Sequence, residues 1–158
     1  MRHTISVLVE NKFGVLARIA GLFSARGYNI ASLAVSETLD PTVSYMTIVV
    51  EAKDETILEQ IKKQLNKLID VISVTDFTKK AHVDRELILV KISYSAKDKP
   101  KIEKILKDYV AKTVQHKLGV ALIEAVGDQT QIKGLLAALG KFTIKELVRT
   151  GRVAIALE

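Results

Sequence analysis

The strongest constraint on the fold is the order in which two apolar periodicities alternate along residues 1–78. Apolar residues at every second position are typical of strands, and apolar residues three or four positions apart are typical of helices. Four segments follow the strand pattern: residues 3–10, 28–37, 43–51 and 71–77. Two segments follow the helix pattern, one after Gly14 and one after Asp54, with the apolar stripes Val15, Leu16, Ile19, Leu22 and Phe23, and Ile57, Leu58, Ile61, Leu65, Leu68 and Ile69. The order strand, helix, strand, strand, helix, strand predicts an antiparallel sheet with two helices on one face.

The second half of the chain repeats this order less regularly. Strands are predicted at residues 86–95, 112–116, 119–126, 143–148 and 153–157, with a tight turn at 117–119. One helix is predicted to begin near Pro100, which suits the first turn of a helix, and its apolar stripe is Ile102, Ile105, Leu106, Tyr109 and Val110. A second helix is predicted at residues 129–139, with the stripe Ile132, Leu135, Leu136 and Leu139. Residues 79–85 are polar and aperiodic, which predicts a linker. The predicted fold class is therefore α+β, with two α/β sandwich domains at residues 1–78 and 86–158.

The two halves differ in charge. Residues 1–78 carry 8 Lys and Arg against 9 Asp and Glu, whereas residues 79–158 carry 16 against 9. A basic half suits a nucleic acid or an acidic protein surface, but lysines dispersed along the chain favour a solvated surface. RNA-binding domains of this topology stack bases on aromatic residues of the central strands, and residues 44–50 hold one aromatic residue and no Lys or Arg. We therefore expect no nucleic-acid partner, and nucleic-acid binding through the basic half remains an alternative.

Nothing in the sequence resembles a catalytic centre. The chain has no cysteine, which excludes disulfides, thiolate metal sites and a cysteine nucleophile. The three histidines, His3, His82 and His116, fall in separate segments, so no metal is expected. No run of about 18 apolar residues could span a bilayer, and no leader-like segment precedes the first strand. We expect a cytoplasmic protein without a membrane partner that is not an enzyme on its own.

Residues 11–16, which follow the first strand, could form a binding site. Unpaired N–H groups at a helix N-terminus attract a carboxylate, and Gly14 would let a ligand approach the backbone closely. Asn11 offers both a donor and an acceptor to the charged end of an amino acid. The alternative is structural: Asn11 caps the helix and Gly14 turns the chain. The residues alone leave both interpretations open.

Six segments, in order along nearly the whole chain, match a known pattern: residues 6–18, 21–33, 46–49, 60–71, 85–91 and 144–151. The most specific stretch is Arg26-Gly27-Tyr28-Asn29-Ile30. Together these segments resemble the regulatory small subunits of acetolactate synthase. The resemblance implies an N-terminal ACT domain, which is a βαββαβ module that senses amino acids, followed by a second ferredoxin-like domain. It also implies a homodimer in which the ACT sheets pair side by side.

The resemblance further implies regulation rather than catalysis. Small subunits of this family bind a large catalytic subunit that carries thiamine diphosphate, magnesium and FAD and condenses pyruvate with pyruvate or 2-oxobutyrate. They raise its activity and confer feedback inhibition, usually by valine. We therefore expect no cofactor on this chain itself. The alternative is a free-standing amino-acid sensor that acts on another enzyme or regulator.

The effector site implied by the resemblance lies between two protomers. One protomer contributes Asn11, Gly14, Val15 and Leu16, and its neighbour contributes Tyr28, Asn29 and Ile30. Two residues depart from the family pattern: Phe13 stands where proline or another small residue is common, and Tyr45 stands where arginine is common. If that arginine contacts the catalytic subunit in the family, Tyr45 would change how this chain activates that subunit.

Overall fold

The computed structural model describes residues 1–117 and 119–157. Its contacts divide the chain into two compact units, residues 1–83 together with 152–157, and residues 84–151. We call residues 152–157 the return segment, because the chain comes back to the first unit there. Of the turn predicted at 117–119, Leu118 lies outside the described residues.

The first unit is a four-stranded sheet with two helices. Its elements are β1 (Arg2–Glu10), α1 (Val15–Ala25), β2 (Asn29–Glu37), β3 (Val43–Glu51), α2 (Glu55–Leu65) and β4 (Val71–Asp76). The strands lie in the order β2-β3-β1-β4, and every neighbouring pair is antiparallel. The predicted βαββαβ order is therefore confirmed.

The core of the first unit lies between the helices and one face of the sheet. Ile5, Val7 and Val9 alternate along β1 and are fully buried in this core. The Asp54 carboxylate caps α2 by accepting from the Ile57 N–H at 3.0 Å, as Asp at an N-cap commonly does. Both helices therefore lie on one face of the sheet, as predicted.

In the first unit, two members of the predicted apolar stripes lie outside the core. Leu16 is 46% exposed and Ile69 is 94% exposed. Leu16 directly follows the buried Val15, and one residue turns an α-helix by about 100°, so Leu16 faces away from the sheet. Ile69 lies beyond Leu65, the last residue of α2.

The second unit repeats the architecture. After β5 (His82–Ser93) come a single 3-10 turn (Ala96–Asp98), α3 (Lys99–Asp108), β6 (Lys112–Lys117), β7 (Val120–Gly127), α4 (Gln129–Leu139) and β8 (Thr143–Arg149). The strand order β6-β7-β5-β8 matches that of the first sheet. The last strand, β9 (Val153–Ala156), lies in the return segment and pairs with β5, which begins in the first unit.

The second half differs from its prediction in three places. The polar stretch 79–85 was predicted to be a linker, but β5 begins within it at His82. The charged residues of this stretch hide the strand periodicity from the sequence. Val110 was expected on the α3 stripe, but α3 ends at Asp108, and Val110 has φ +54° and an exposed side chain. The predicted strand at 153–157 packs with the first unit rather than the second.

Among the described residues, no helix combines the length and the apolar character needed to cross a lipid bilayer.

Candidate functional site

Asn11 braces the corner between β1 and α1. Its backbone N–H donates to the Thr42 carbonyl oxygen at 2.7 Å, and its side-chain Nδ2 donates to the Pro41 carbonyl oxygen at 2.8 Å. Both acceptors lie in the turn between β2 and β3. Asn11 therefore does not cap α1, whose N-cap residue is Gly14. Within the described part of the chain, Asn11 Oδ1 makes no hydrogen bond and could accept one from a ligand.

Gly14 begins α1 in a left-handed conformation, with φ +81°. Glycine adopts this conformation without the steric cost that a Cβ brings. Since the N-cap residue has no side chain, no side-chain cap accepts from the N–H groups of the first turn. A helix N-terminus of this kind attracts an anionic group through its N–H groups and its dipole.

A cation lies beside this helix start. A Cβ placed on Gly14 would lie 3.5 Å from Arg18 Nη1. Arg18 Nε donates to Asp70 Oδ2 at 2.8 Å, and the Asp70 side chain is largely buried. The Glu10 N–H donates to the Asp70 carbonyl oxygen at 2.9 Å, so the loop before β4 is fixed to the end of β1. A carboxylate at the start of α1 would find a guanidinium within reach.

Sequence reasoning did not single out Arg18 or Asp70. Their pairing spans 52 positions, and no periodic pattern signals it. The available signal was the position of Arg18, one helical turn after Gly14, where its side chain can return to the helix start.

A second ion pair lies at the same corner. Lys12 Nζ lies 2.6 Å from Glu10 Oε2, and this hydrogen bond and the attraction between the charges raise the pKa of Lys12. With two cations and two carboxylates, the corner is electrically balanced. A zwitterionic ligand would add no net charge to it.

Val15 and Leu16 differ in what they offer to a ligand. The Val15 side chain is 2% exposed and belongs to the core, so only its backbone faces the corner. The Val15 N–H already donates to the Lys12 carbonyl oxygen at 3.3 Å. Leu16 is half-exposed and presents apolar surface in the first turn of α1, and the fully exposed Phe13 lies just before this helix.

Tyr28, Asn29 and Ile30 lie where α1 leads into β2. The Tyr28 ring meets Phe23 edge-on, with ring centroids 6.3 Å apart. Asn29 Nδ2 donates to Glu51 Oε2 at 3.0 Å, and this bond is the main cause that lowers the pKa of Glu51. Ile30 is partly buried against the core.

One chain does not bring the two groups of predicted residues together. Asn29 pairs with Glu51, which pairs with Arg2 at the start of β1. Asn11 follows Glu10 at the other end of β1. At about 3.3 Å per strand residue, the two groups lie at sheet ends roughly 30 Å apart.

The edge strand β2 borders a groove that the sequence did not predict. The groove has a volume of about 320 Å³, and its lining includes Ala34, Val35, Thr38, Tyr45, Thr47 and Val153. The Tyr45 hydroxyl donates to the Ala154 carbonyl oxygen at 2.9 Å, so Tyr45 binds the return segment of its own chain. The groove depends on this segment, which explains why strand periodicity did not reveal it.

The three histidines pack singly against their neighbours. His3 Nδ1 lies 3.1 Å from Thr78 Oγ1, His82 packs on Phe77, and His116 packs on the ring of Tyr94. Among the described residues, no three His, Asp or Glu side chains come together in a way that could hold a metal ion.

The second unit presents a basic helix surface. Around α3, exposed lysines lie at positions 97, 99, 101, 104 and 107. Lys101 pairs with Asp98 at 3.2 Å, and Lys99 lies 4.0 Å from Glu103. Lys104 and Lys107 form no ion pair with another described residue. This face could complement an acidic surface.

Family models match both units. The model described as the AHAS small subunit-like ACT domain matches residues 5–73, and the model described as the small subunit of acetolactate synthase matches residues 85–158.

Individual relatives agree with these matches. The chain is 44% identical to the probable acetolactate synthase small subunit of Archaeoglobus fulgidus, over 98% of this chain and 96% of that protein. It is 44% identical to the acetolactate synthase small subunit of Mycobacterium leprae, over 98% of this chain and 90% of that protein. The crystal structure of the acetolactate synthase small subunit from Thermotoga maritima superimposes with a TM-score of 0.87 at 34% identity, covering 100% of this chain and 98% of that chain.

Proposed function

The chain belongs to the family of acetolactate synthase small subunits, and we propose that it is the regulatory subunit that senses a branched-chain amino acid for the catalytic subunit. The observation that carries the proposal is the separation of the predicted site residues. They form two groups at opposite ends of one sheet, and both groups adjoin the edge strand β2 or its turns. Such a site becomes complete when a second copy supplies the missing half.

Antiparallel pairing of two β2 edges would supply that half. Within the described residues, β2 has a neighbouring strand on one side only, and an exposed edge is a template for another strand. In a two-fold pair, the start of one β2 lies beside the end of the other. The end of β2 leads into the turn that holds Asn11 through Pro41 and Thr42. Asn29 of the second copy would therefore approach the Asn11 corner.

The corner suits the chemistry of a small aliphatic amino acid. The start of α1 and the Arg18 guanidinium would hold its carboxylate. Asn11 Oδ1 would accept a hydrogen bond from its ammonium group. The half-exposed Leu16 and Ile30 of the second copy would contact its side chain. Valine or a related branched-chain amino acid satisfies all three requirements.

Regulation would follow from linkage. A ligand that spans two copies stabilises one dimer arrangement by its differential affinity for that arrangement. A coupling of about 1–3 kcal/mol changes the affinity of the second site by roughly 5- to 150-fold. This range is sufficient for feedback inhibition.

The large catalytic subunit is the proposed partner. Thiamine diphosphate, magnesium and FAD would belong to that subunit, and this chain would raise its activity and make it sensitive to valine. The lysines of α3 would complement an acidic surface on the large subunit and speed association. Lys104→Glu with Lys107→Glu should then weaken binding to the large subunit at low salt, whereas Lys53→Glu on the first unit should not. Equal binding by these variants across a salt series would remove α3 from the interface.

Coexpression with the large subunit tests the proposal. Acetolactate production should rise when the chain is present, and added valine should lower it. Unchanged activity in the presence of the chain would contradict the regulatory role. Valine binding without any effect on the large subunit would instead indicate a free-standing sensor.

A further inference from the structure

Side-chain hydroxyl groups hold the start of the return segment to the first sheet. The Arg152 N–H donates to Ser32 Oγ at 3.0 Å. Arg152 Nη1 donates to Thr4 Oγ1 at 2.9 Å. Two strands that are not neighbours, β1 and β2, are thus joined through one residue of the return segment.

Hydroxyl groups of the intervening strand hold the next part of the segment. The Ala154 N–H donates to Thr47 Oγ1 at 3.3 Å, and the Ala154 carbonyl oxygen accepts from the Tyr45 hydroxyl at 2.9 Å. Both partners lie on β3. The return segment is therefore bonded to three adjacent strands by a Ser, two Thr and a Tyr.

These hydroxyl groups lie on the sheet face opposite the helices. Thr4 precedes Ile5 and Thr47 lies between Met46 and Ile48, and strand side chains alternate between faces. Thr47 is 1% exposed, and a buried hydroxyl needs a partner. The face is thus suited to a backbone segment, which brings both donors and acceptors, rather than to an apolar layer.

The attachment lies close to the second group of predicted effector residues. The pairing of β2 with β3 shifts between Ile30 and Ser32, so Ala31 forms a bulge. Bulges occur often beside functional sites, where they redirect the chain. Ser32, which holds Arg152, follows Ile30 by two positions. A displacement of Asn29 or Ile30 would therefore shift Ser32 through the bulge and disturb its hydrogen bond with the Arg152 N–H.

The chain is equally restrained on the other side of Gly151, inside the second unit. Thr150 N–H donates to the Leu87 carbonyl oxygen at 3.1 Å, and Leu87 N–H donates to Thr150 Oγ1 at 3.1 Å. Arg149 makes two hydrogen bonds to the Glu86 carboxylate, at 2.9 Å and 2.6 Å. Only Gly151, with φ +82°, separates these anchors from Arg152.

We propose that the return segment is the link that carries the effector state of β2 into the second unit. Effector binding sets the position of Ser32. Ser32, together with the hydroxyl groups of β1 and β3, sets the position of the return segment. Because the chain is hydrogen-bonded on both sides of Gly151, a shift of the return segment also shifts residues 149 and 150 of the second unit. The effector part of this inference rests on the proposed function. The attachment itself rests on hydrogen bonds within the first unit.

Two variants of the intact chain, Tyr45→Phe and Thr47→Val, test the link because each removes one hydroxyl and keeps the shape. Loss of one net hydrogen bond should speed amide hydrogen exchange in the return segment by about fivefold, since about 1 kcal/mol is involved. Valine affinity, measured by calorimetry on the dimer, should change by less than about twofold, because neither residue contacts the proposed effector. Valine inhibition of the enzyme coexpressed with the large subunit should weaken in both variants. Tyr94→Phe and Thr113→Val, which lie in the second unit, are the matched controls and should retain full inhibition.

The outcomes separate the link from the proposed function. Faster exchange in the return segment with valine inhibition fully retained would overturn the link while leaving the regulatory function in place. Unchanged exchange in both variants would overturn the attachment. Absence of valine binding by the unmodified chain would overturn the proposed function, and with it the effector part of this inference.

Discussion

Arg18 in α1 and Asp70 before β4 form an ion pair, with Nε and Oδ2 2.8 Å apart, at the corner where β1 ends. The pair places a guanidinium beside the start of α1 without leaving a buried carboxylate unpaired. It therefore has two consequences, one for stability and one for binding.

Removing each partner should separate these consequences. Asp70→Ala should lower the free energy of unfolding by about 1–2 kcal/mol, because a hydrogen-bonded charge is lost. Arg18→Met should cost about 1–3 kcal/mol, because it leaves the largely buried Asp70 carboxylate without its partner, and it should also weaken valine binding about tenfold through loss of the carboxylate contact. Denaturant unfolding and calorimetry measure the two effects. Unchanged valine affinity in Arg18→Met would exclude Arg18 from the site.

Gly14 should not tolerate a side chain, whereas Gly21 in the same helix should. Gly14→Ala forces a Cβ onto a residue with φ +81° and should cost about 1 kcal/mol. Gly21 has open space around it, so Gly21→Ala should stabilise the chain by about 0.5–1 kcal/mol. Gly14→Asp should in addition abolish valine binding, because its carboxylate competes for Arg18 and the helix start. Thermal unfolding and calorimetry provide the test, and equal melting temperatures for the two alanine variants would contradict it.

Two substitutions at Asn11 distinguish bracing from ligand binding. Asn11→Ala and Asn11→Asp both lose the donor to the Pro41 carbonyl oxygen, so both should lose similar stability, below about 1 kcal/mol. Asn11→Asp keeps an oxygen acceptor for the valine ammonium group and should retain more affinity than Asn11→Ala. Calorimetry with valine measures the difference. Equal loss of affinity in both variants would assign Asn11 to bracing alone.

Asp76 should make the first unit less stable in acid. Partial burial alone would raise the pKa of Asp76, but hydrogen bonds from Thr78 and the Lys62 ammonium outweigh it and lower the pKa below its ordinary value of 3.8. A lowered pKa in the folded state stabilises the fold above the ordinary value, and this stabilisation is lost as the pH falls through the folded pKa. Asp76→Asn should therefore melt earlier than the unmodified chain at pH 7, and the difference should shrink as the pH falls below 3.8 and through the lowered pKa of Asp76. A difference that stays constant with pH would refute this assignment.

Gly134 in α4 should reject even a methyl group. A Cβ at Gly134 would lie 2.7 Å from Cε1 of Tyr109, closer than real contacts allow. Overpacking of this kind costs about 1–3 kcal/mol, so Gly134→Ala should lower the melting temperature. The control is Gly21→Ala, which should raise it. A rise in both variants would mean that the Tyr109 ring moves aside freely.

The elements that the sequence predicted best are those with a periodic core. Each strand and helix of the first unit follows from alternation, from the Asp54 cap and from the break at Gly27, which has φ +67°. Errors occurred where periodicity ends: Ile69 and Val110 continue an apolar spacing past the last helical residue and are exposed.

The return segment could not be predicted for a different reason. The bonds of Arg152 to Ser32 and of Ala154 to Tyr45 join residues more than 100 positions apart, and they use hydroxyl groups and backbone atoms. Such contacts leave no apolar pattern. The predicted site residues were found by resemblance and by the chemistry of a helix start, but the bracing role of Asn11 and the position of Arg18 depend on tertiary contacts.

The central claim is that each effector site takes Asn11 from one copy and Asn29 from the other, and mixing two defective chains tests it most directly. Asn11→Ala and Asn29→Ala homodimers should each fail to bind valine. After unfolding and refolding together, half of the dimers should be mixed and each should hold one intact site, so calorimetry should recover about a quarter of the wild-type sites at wild-type affinity. If mixed dimers form but bind no valine, a site shared between two copies is contradicted.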